Sequence, residues 1–165
     1  MTHSRLLLLL LAVFMQLATQ AQHAPDFAEK FMSMHEGDST LKCITVSPKM
    51  MELLGDNHKE GRLENIVQAI TKLKSVRIVN GSAEYYKKAL QLLKKNKRRF
   101  KAEQEFQTDS QHGAFFIRRD KGGKTVELIM ICEEPQNDRF TLINLTGDID
   151  EEFLCFLYNN KSLKN

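Results

Sequence analysis

The chain has 165 residues, a formal charge of +3 and three cysteines. Its length suits one domain with its own hydrophobic core, and so few cysteines exclude a scaffold built on disulfides. A charge this close to neutral gives no reason to expect a nucleic-acid partner.

The first 21 residues have the composition of a cleaved secretory signal peptide. Arg5 precedes six successive leucines, and small residues, Thr19 and Ala21, end the segment. The apolar run of about ten residues is too short for a bilayer span, which needs about 20. We therefore predict export to the periplasm and a mature chain, residues 22–165, with no transmembrane segment. Cleavage removes Arg5 and no acid, so the charge falls from +3 to +2.

Helices and strands are predicted in mixed order over the first half of the mature chain. Apolar residues at intervals of three and four predict helices, and β-rich runs predict strands. Ser47 can cap a helix whose first residue is Pro48. The predicted elements are a helix at 24–34 (Phe27, Phe31, Met34), a strand at 41–46, a helix from 47 with Met50, Met51, Leu53 and Leu54 buried, a helix at 63–73, a strand at 76–79, and a helix with Tyr86, Ala89, Leu90 and Leu93 on its inner side.

Closely spaced strands and a final helix are predicted for the second half. The strands cover residues 99–106, 114–118, 125–132 and 139–145, and the helix covers 149–158, with Asp148 and Glu151 spaced as a capping box. Strands this close pair antiparallel, because a parallel pair needs a crossover of about a dozen residues. We predict one α+β domain: a largely antiparallel sheet of five or six strands with helices packed on one face, a two-layer sandwich.

Residues 118–125, Arg-Arg-Asp-Lys-Gly-Gly-Lys-Thr, end like a phosphate-binding loop. That loop needs a glycine where Arg118 stands and a helix that begins at its lysine. A predicted strand follows Lys124, so there is no helix N-terminus to hold phosphates. We interpret residues 120–123 as a hairpin turn and expect no nucleotide.

The titratable residues of the mature chain form no local catalytic or metal-binding motif. His23, His35, His58 and His112 are not spaced as metal ligands, and no Cys-x-x-Cys occurs. The sequence therefore predicts no metal and no cofactor, and it identifies no catalytic residue. A site assembled from residues far apart in the chain stays open.

Cys43, Cys132 and Cys155 each have apolar neighbours in the sequence. An odd number of cysteines in an exported chain allows one disulfide and one free thiol. The apolar neighbours instead favour three buried, unreactive thiols, and this is what we expect. A disulfide between two of them is the alternative.

Residues 94–101 carry the highest local charge of the chain, with six cations among eight residues. Cations near a helix C-terminus complement the helix dipole, so a solvated surface is the simpler interpretation. The functional interpretation is contact with an anionic membrane surface of the cell envelope. Nucleic acid fits less well, because no stacking aromatic residues are interleaved. The candidate contact residues are Lys94, Lys95, Lys97, Arg98, Arg99 and Lys101.

Four segments resemble a known family of small exported proteins. They are residues 17–22, 46–50 (Val-Ser-Pro-Lys-Met), 126–130 (Val-Glu-Leu-Ile-Met) and 140–150, which run from a strand through Gly147-Asp148 into a helix. The chain resembles bacterial domain-of-unknown-function family 4252, found mainly in Bacteroidota. The resemblance implies an envelope location, a compact α+β domain and a link to envelope signalling, and it transfers no functional residue.

Two functions of different classes follow as hypotheses. The first is a non-catalytic module that binds an envelope protein or the anionic membrane surface, and the basic residues 94–101 favour it. The second is a small hydrolase whose site is assembled from distant residues. A pocket with a histidine and a carboxylate within hydrogen-bond reach would favour the enzyme.

Overall fold

The computed structural model describes residues 24–56 and 69–162. The predicted signal peptide and most of the helix predicted at 63–73 lie outside these residues. The elements are α1 (Phe27–Ser33), β1 (Lys42–Val46), α2 (Pro48–Asp56), β2 (Leu73–Gly81), α3 (Glu84–Lys95), β3 (Lys101–Gln107), β4 (His112–Arg119), β5 (Thr125–Glu134), a 3-10 helix (Pro135–Asn137), β6 (Arg139–Ile149) and α4 (Glu151–Ser162).

The six strands form one sheet in the order β1-β2-β6-β5-β4-β3, and every neighbouring pair is antiparallel. The last four strands form a meander, as the short connections between them require. Strands β1 and β2 extend the sheet at the free side of β6. The predicted α+β class with a largely antiparallel sheet is confirmed.

Helices cover both faces of this sheet, and the expected packing on one face alone is wrong. Helices α1 and α3 pack on one face, where Phe116, Ile129 and Leu142 are buried. Met51 of α2 and Phe153 of α4 join the core of the opposite face. The physical reason lies in β4 and β5, whose buried residues follow one another without alternation, as in sheets covered on both sides.

The predicted start of the last helix is wrong by two residues. Strand β6 continues to Ile149, which pairs with Thr125, so Asp148 lies in a strand and is exposed. Asp150 caps α4 instead, because its Oδ1 accepts a hydrogen bond from the Phe153 amide at 2.8 Å. Leu73 was likewise predicted as helical but begins β2.

Helix α2 begins at Pro48 as predicted, but its buried side is narrower than expected. Met51 is 1% exposed, whereas Met50 and Leu53 are 50% and 60% exposed. Four apolar residues within five positions point in most directions around the helix axis, and only those on the side that faces the sheet are buried. The side chain of Leu54 lies outside the described residues. In α3, Tyr86, Ala89 and Leu93 are buried as predicted and Leu90 is half-buried, and Tyr85 is buried as well.

All three cysteines lie in the described part of the chain and none is in a disulfide, and only Cys132 is buried. The expectation that all three are buried is therefore wrong for Cys43 and Cys155. Cys43 lies in β1 at the sheet edge, where four of five residues are exposed, and Cys155 lies on the exposed side of α4. Apolar sequence neighbours do not ensure burial at an edge strand or in an amphipathic helix, because adjacent residues there point in different directions.

Candidate functional site

The six cations of residues 94–101 span the end of α3, the following turn and the first residue of β3. Five of the six side chains are exposed, and Arg99 is half-buried. Arg99 donates to the Pro25 carbonyl at 3.1 Å, so it holds the start of the described chain as well as facing solvent. The other five remain available for contact with a partner.

A second basic segment lies beside the first. Lys101 pairs with Ile117 in the antiparallel β3–β4 ladder, so the residues just before Lys101 and the hairpin that follows Arg118 lie at the same end of the sheet. Residues 118–124 contribute four further cations and one acid, Asp120. We call residues 94–101 and 118–124 together the basic end of the sheet.

The hairpin is a turn, as predicted from its glycines. The Asp120 amide donates to the Lys124 carbonyl at 2.9 Å, and the Asp120 carboxylate accepts from the amides of Gly122 and Lys124 at 2.8 and 3.0 Å. Gly123 has a φ of 84°, which favours glycine. The single acid of the hairpin is thus occupied in shaping it.

The buried side chain of Glu127 contacts one arginine from each basic segment. This β5 residue is 0% exposed. Its Oε2 lies 2.7 Å from Nε of Arg118 and 3.9 Å from a terminal nitrogen of Arg99. Its Oε1 accepts a hydrogen bond from the Phe27 amide at 2.7 Å. One buried carboxylate therefore orients an arginine from each segment and also binds the first turn of α1.

Asn144 provides the second buried contact to α1. It is 0% exposed, and its Oδ1 accepts from the Ala28 amide at 2.7 Å. Asp26 caps the same helix by accepting from the Glu29 amide at 2.9 Å. These partners satisfy three of the amides that a helix start leaves unpaired, two of them from the sheet.

A polar groove of about 450 Å³ opens at the basic end, and we call it the Arg118 groove. Its acids are already engaged: Arg77 bonds Asp26 at 2.7 Å and Glu29 at 3.2 Å. Burial acts to lower the pKa of Arg77, but its hydrogen bond to Asp26 and the charges of Asp26 and Glu29 raise it overall. The groove is lined by Ala24, Asp26, Glu29, Lys74, Ser75, Arg77, Arg118, Asp120, Val126, Thr146 and Gly147.

A second groove, of about 340 Å³, lies between α3 and the β3–β4 pair, and we call it the His112 groove. Its wall includes Lys94, Glu105 and His112. His112 Nε2 lies 3.2 Å from Glu133 Oε2 in the neighbouring strand. Burial raises the pKa of Tyr86, which also lines the groove, and the charges of Glu105 and Glu133 act in the same direction.

Within residues 24–56 and 69–162, no three His, Cys, Asp or Glu side chains lie close enough to hold a metal ion. In the same residues no helix is long and apolar enough to cross a membrane.

Sequence reasoning identified the first basic segment but missed Glu127 and Asn144. Both lie in predicted strands, and Glu127 stands alone among apolar residues of β5. A lone carboxylate inside a strand that is buried on both faces is a detectable anomaly, since such a group requires partners. Its partners, Phe27 and Arg118, come from separate segments and could not be named in advance.

Comparison with known proteins gives a family and two remote structural neighbours. No curated protein matches the chain. The Ran-binding protein Mog1p of Saccharomyces cerevisiae is 14% identical, with 83% of this chain and 74% of that chain covered and a TM-score of 0.34. A Mog1 mutant is 15% identical, and the match covers 53% of this chain and 56% of that chain with a TM-score of 0.29. The family model for a domain of unknown function, DUF4252, matches residues 29–154, so the chain belongs to that family.

Proposed function

We propose that this is an exported cell-envelope protein that acts as a non-catalytic interaction module, with a link to envelope signalling. Its basic end binds the anionic surface of a membrane. The observation that carries the proposal is the pairing of Lys101 with Ile117, which brings two basic segments to the same end of the sheet.

The charges of this surface are largely uncompensated. Arg118 faces Glu127, and Arg119 lies 3.6 Å from Glu151. Within the described part of the chain, the other exposed cations of the basic end make no ion pair. They are Lys94, Lys95, Lys97, Arg98, Lys101, Lys121 and Lys124.

Attraction to an anionic membrane is worth about 1 kcal/mol for each such side chain close to the surface. Dipole complementation at the end of α3 accounts for the cations nearest the helix, about 0.3–1 kcal/mol each. It does not account for Lys121 and Lys124, which lie in a hairpin. Contact with a membrane would account for the exposed cations at the end of α3 and for those of the hairpin.

Export is proposed from the sequence of residues 1–21, because six leucines after Arg5 and a small-residue end are typical of a cleaved leader.

Binding to lipid vesicles tests the proposal. Exported protein is mixed at low salt with vesicles containing phosphatidylglycerol, and the bound fraction is measured by sedimentation. We expect binding that is lost as salt rises, because screening acts over about 8 Å at physiological ionic strength. Replacing Lys94, Lys95, Lys97 and Arg98 with glutamine is expected to abolish it without a large fall in Tm.

The matched control removes the same amount of charge elsewhere: Lys30, Lys42, Lys49 and Arg139 replaced with glutamine, all four being exposed. If vesicle binding falls equally in both variants, net charge drives binding and no particular surface is responsible. Wild-type protein that ignores anionic vesicles at low salt would refute the proposal.

A small hydrolase is the second candidate function, and the His112–Glu133 contact at 3.2 Å favours it. A carboxylate that orients an imidazole prepares it to act as a general base. Among the described residues that line this groove, none is serine, threonine or cysteine, so His112 would activate water. The test is ester hydrolysis by wild type, Glu133→Gln and the neighbouring control Glu134→Gln. Activity lost only in Glu133→Gln would support the enzyme.

A further inference from the structure

We infer that the Arg118 groove is a binding site for the phosphate group of a phosphate monoester. The inference deepens the proposed function and rests on it only for the claim that the phosphate belongs to a membrane lipid. The groove is about 450 Å³ in volume, so a phosphate and the atoms next to it fit inside.

Arg118 is held in place by a group that a ligand cannot displace. Its Nε bonds Glu127, which is fully buried and also accepts the Phe27 amide. Among the described residues, the two terminal nitrogens of Arg118 make no hydrogen bond. A guanidinium anchored through Nε presents these two donors to the groove, the geometry that suits a phosphate.

Lys74 supplies the second positive charge of the groove. Its side chain is exposed and makes no ion pair within the described chain. Its backbone is positioned by Gly147, whose φ is 138°, and a Cβ there would lie 2.7 Å from Leu73 Cα and 2.8 Å from the Lys74 amide nitrogen. The close approach of β6 to residues 72–74 thus requires glycine and places Lys74 on the wall of the groove.

Hydroxyl groups complete the polar wall. Ser75 Oγ and Thr146 Oγ1 lie 2.8 Å apart across the β2–β6 pair. Only one hydroxyl hydrogen is needed for that bond, so the other is free to donate to a ligand oxygen. Arg118, Lys74 and this hydroxyl pair all belong to strands, which hold their backbones in fixed positions.

The donors that stay unpaired in the groove favour an anion with several acceptor oxygens. In formal charge the groove is balanced, since its three cations, Lys74, Arg77 and Arg118, stand against three acids, Asp26, Glu29 and Asp120. Asp26 and Glu29 both bond Arg77, and Asp120 accepts two hairpin amides. Arg118 retains its terminal donors and Lys74 makes no ion pair within the described chain, whereas Glu127, which bonds Arg118 Nε, is shared with Arg99. A phosphate monoester carries a charge of about −1.5 to −2 near pH 7 and offers three acceptor oxygens. A carboxylate offers less charge and fewer acceptors.

The test uses glycerol 3-phosphate as a soluble monoester and measures amide NMR shifts in exported protein. We expect saturable shifts at Lys74, Ser75, Arg118 and Thr146, and none with glycerol. Arg118→Lys keeps the charge beside Glu127 but loses the paired donors, and Lys74→Gln removes an exposed charge. Each is expected to weaken binding about tenfold, as for one lost charge-assisted hydrogen bond. The controls Arg139→Lys and Lys42→Gln, at the opposite end of the sheet, are expected to bind as wild type.

Vesicles separate this inference from the proposed function. Preference for phosphatidic acid, a lipid monoester, over phosphatidylglycerol would identify a lipid headgroup, whereas binding of glycerol 3-phosphate alone would identify a free phosphoester. No shifts at the groove, or an affinity equal to that of wild type in both groove variants, would overturn the inference even if vesicles still bind. Groove binding without any vesicle binding would refute the proposed function and leave the inference standing.

Discussion

Asp38 fixes the turn between α1 and β1 to helix α3. Its carboxylate accepts hydrogen bonds from the Thr40 hydroxyl at 2.6 Å and from the Tyr85 hydroxyl. These bonds, with that of Thr40 first, lower the pKa of Asp38 from 3.8 to about 2. A carboxylate whose pKa is lowered by folding stabilises the native state in its ionised form.

Replacement of Asp38 with asparagine is therefore expected to have a pH-dependent effect. The stabilisation from Asp38 is fully present above its ordinary pKa of 3.8 and is lost as pH falls through about 2. We expect Asp38→Asn to lower Tm at pH 6 and the difference from wild type to shrink towards pH 2, measured by circular dichroism. Asp109→Asn, at an exposed position, is the control. A Tm difference that stays constant with pH would contradict this account.

Thiol accessibility gives a second prediction at the residue scale. Cys43 and Cys155 are exposed and Cys132 is buried. We expect native protein to react with a thiol reagent at Cys43 and Cys155, and at Cys132 only after unfolding, as read by mass spectrometry. The variant with Cys43→Ser and Cys155→Ser should not react until unfolded. A native mass lower by two hydrogens would show a disulfide and contradict this account.

At the scale of elements, α1 is attached to the sheet mainly by buried groups. Phe27, Ala28 and Phe31 lie in the core of their face. Glu127 and Asn144 accept the first amides of the helix. A helix of seven residues has little stability of its own, so these contacts determine whether it forms.

Asn144→Ala tests this attachment. It leaves the buried Ala28 amide without a partner, and we expect the free energy of unfolding to fall by about 1–3 kcal/mol in urea denaturation. Asn137→Ala removes an amide from an exposed turn and should change it by less than about 0.5 kcal/mol. If both replacements lower the free energy of unfolding equally, the hydrogen bond between Asn144 and α1 contributes no more stability than an exposed amide does.

Most elements were predictable from local pattern, whereas their arrangement was not. The alternation of residues 101–106 and the apolar runs of β4 and β5 identify strands directly. The end of β6 and the cap of α4 were misplaced because Asp148 and Asp150 both precede a helical pattern, and the pairing of Ile149 with Thr125 decides between them. Pairings of this kind join distant segments, and the same limit hid the position of residues 94–101 and the 118–124 hairpin at one end of the sheet.

For the whole molecule, export is the first prediction. We expect N-terminal sequencing of protein from the periplasm to begin at or near Gln22. Replacing Leu8 and Leu9 with arginine should keep the precursor in the cytoplasm, because a charged segment no longer fits the apolar core of a signal peptide. Soluble protein that retains its leucine run would contradict export.

The central claim is that two basic segments form one anion-binding surface, and the hairpin tests it most directly. The measurement compares the affinity of Lys121→Gln/Lys124→Gln and of Lys42→Gln/Lys49→Gln for phosphatidylglycerol vesicles at low salt. All four lysines are exposed, and both variants lose two charges. We predict that the hairpin variant binds about thirtyfold more weakly than wild type, from about 1 kcal/mol for each lysine, and that the control loses much less. Equal affinity of the two variants would contradict the claim.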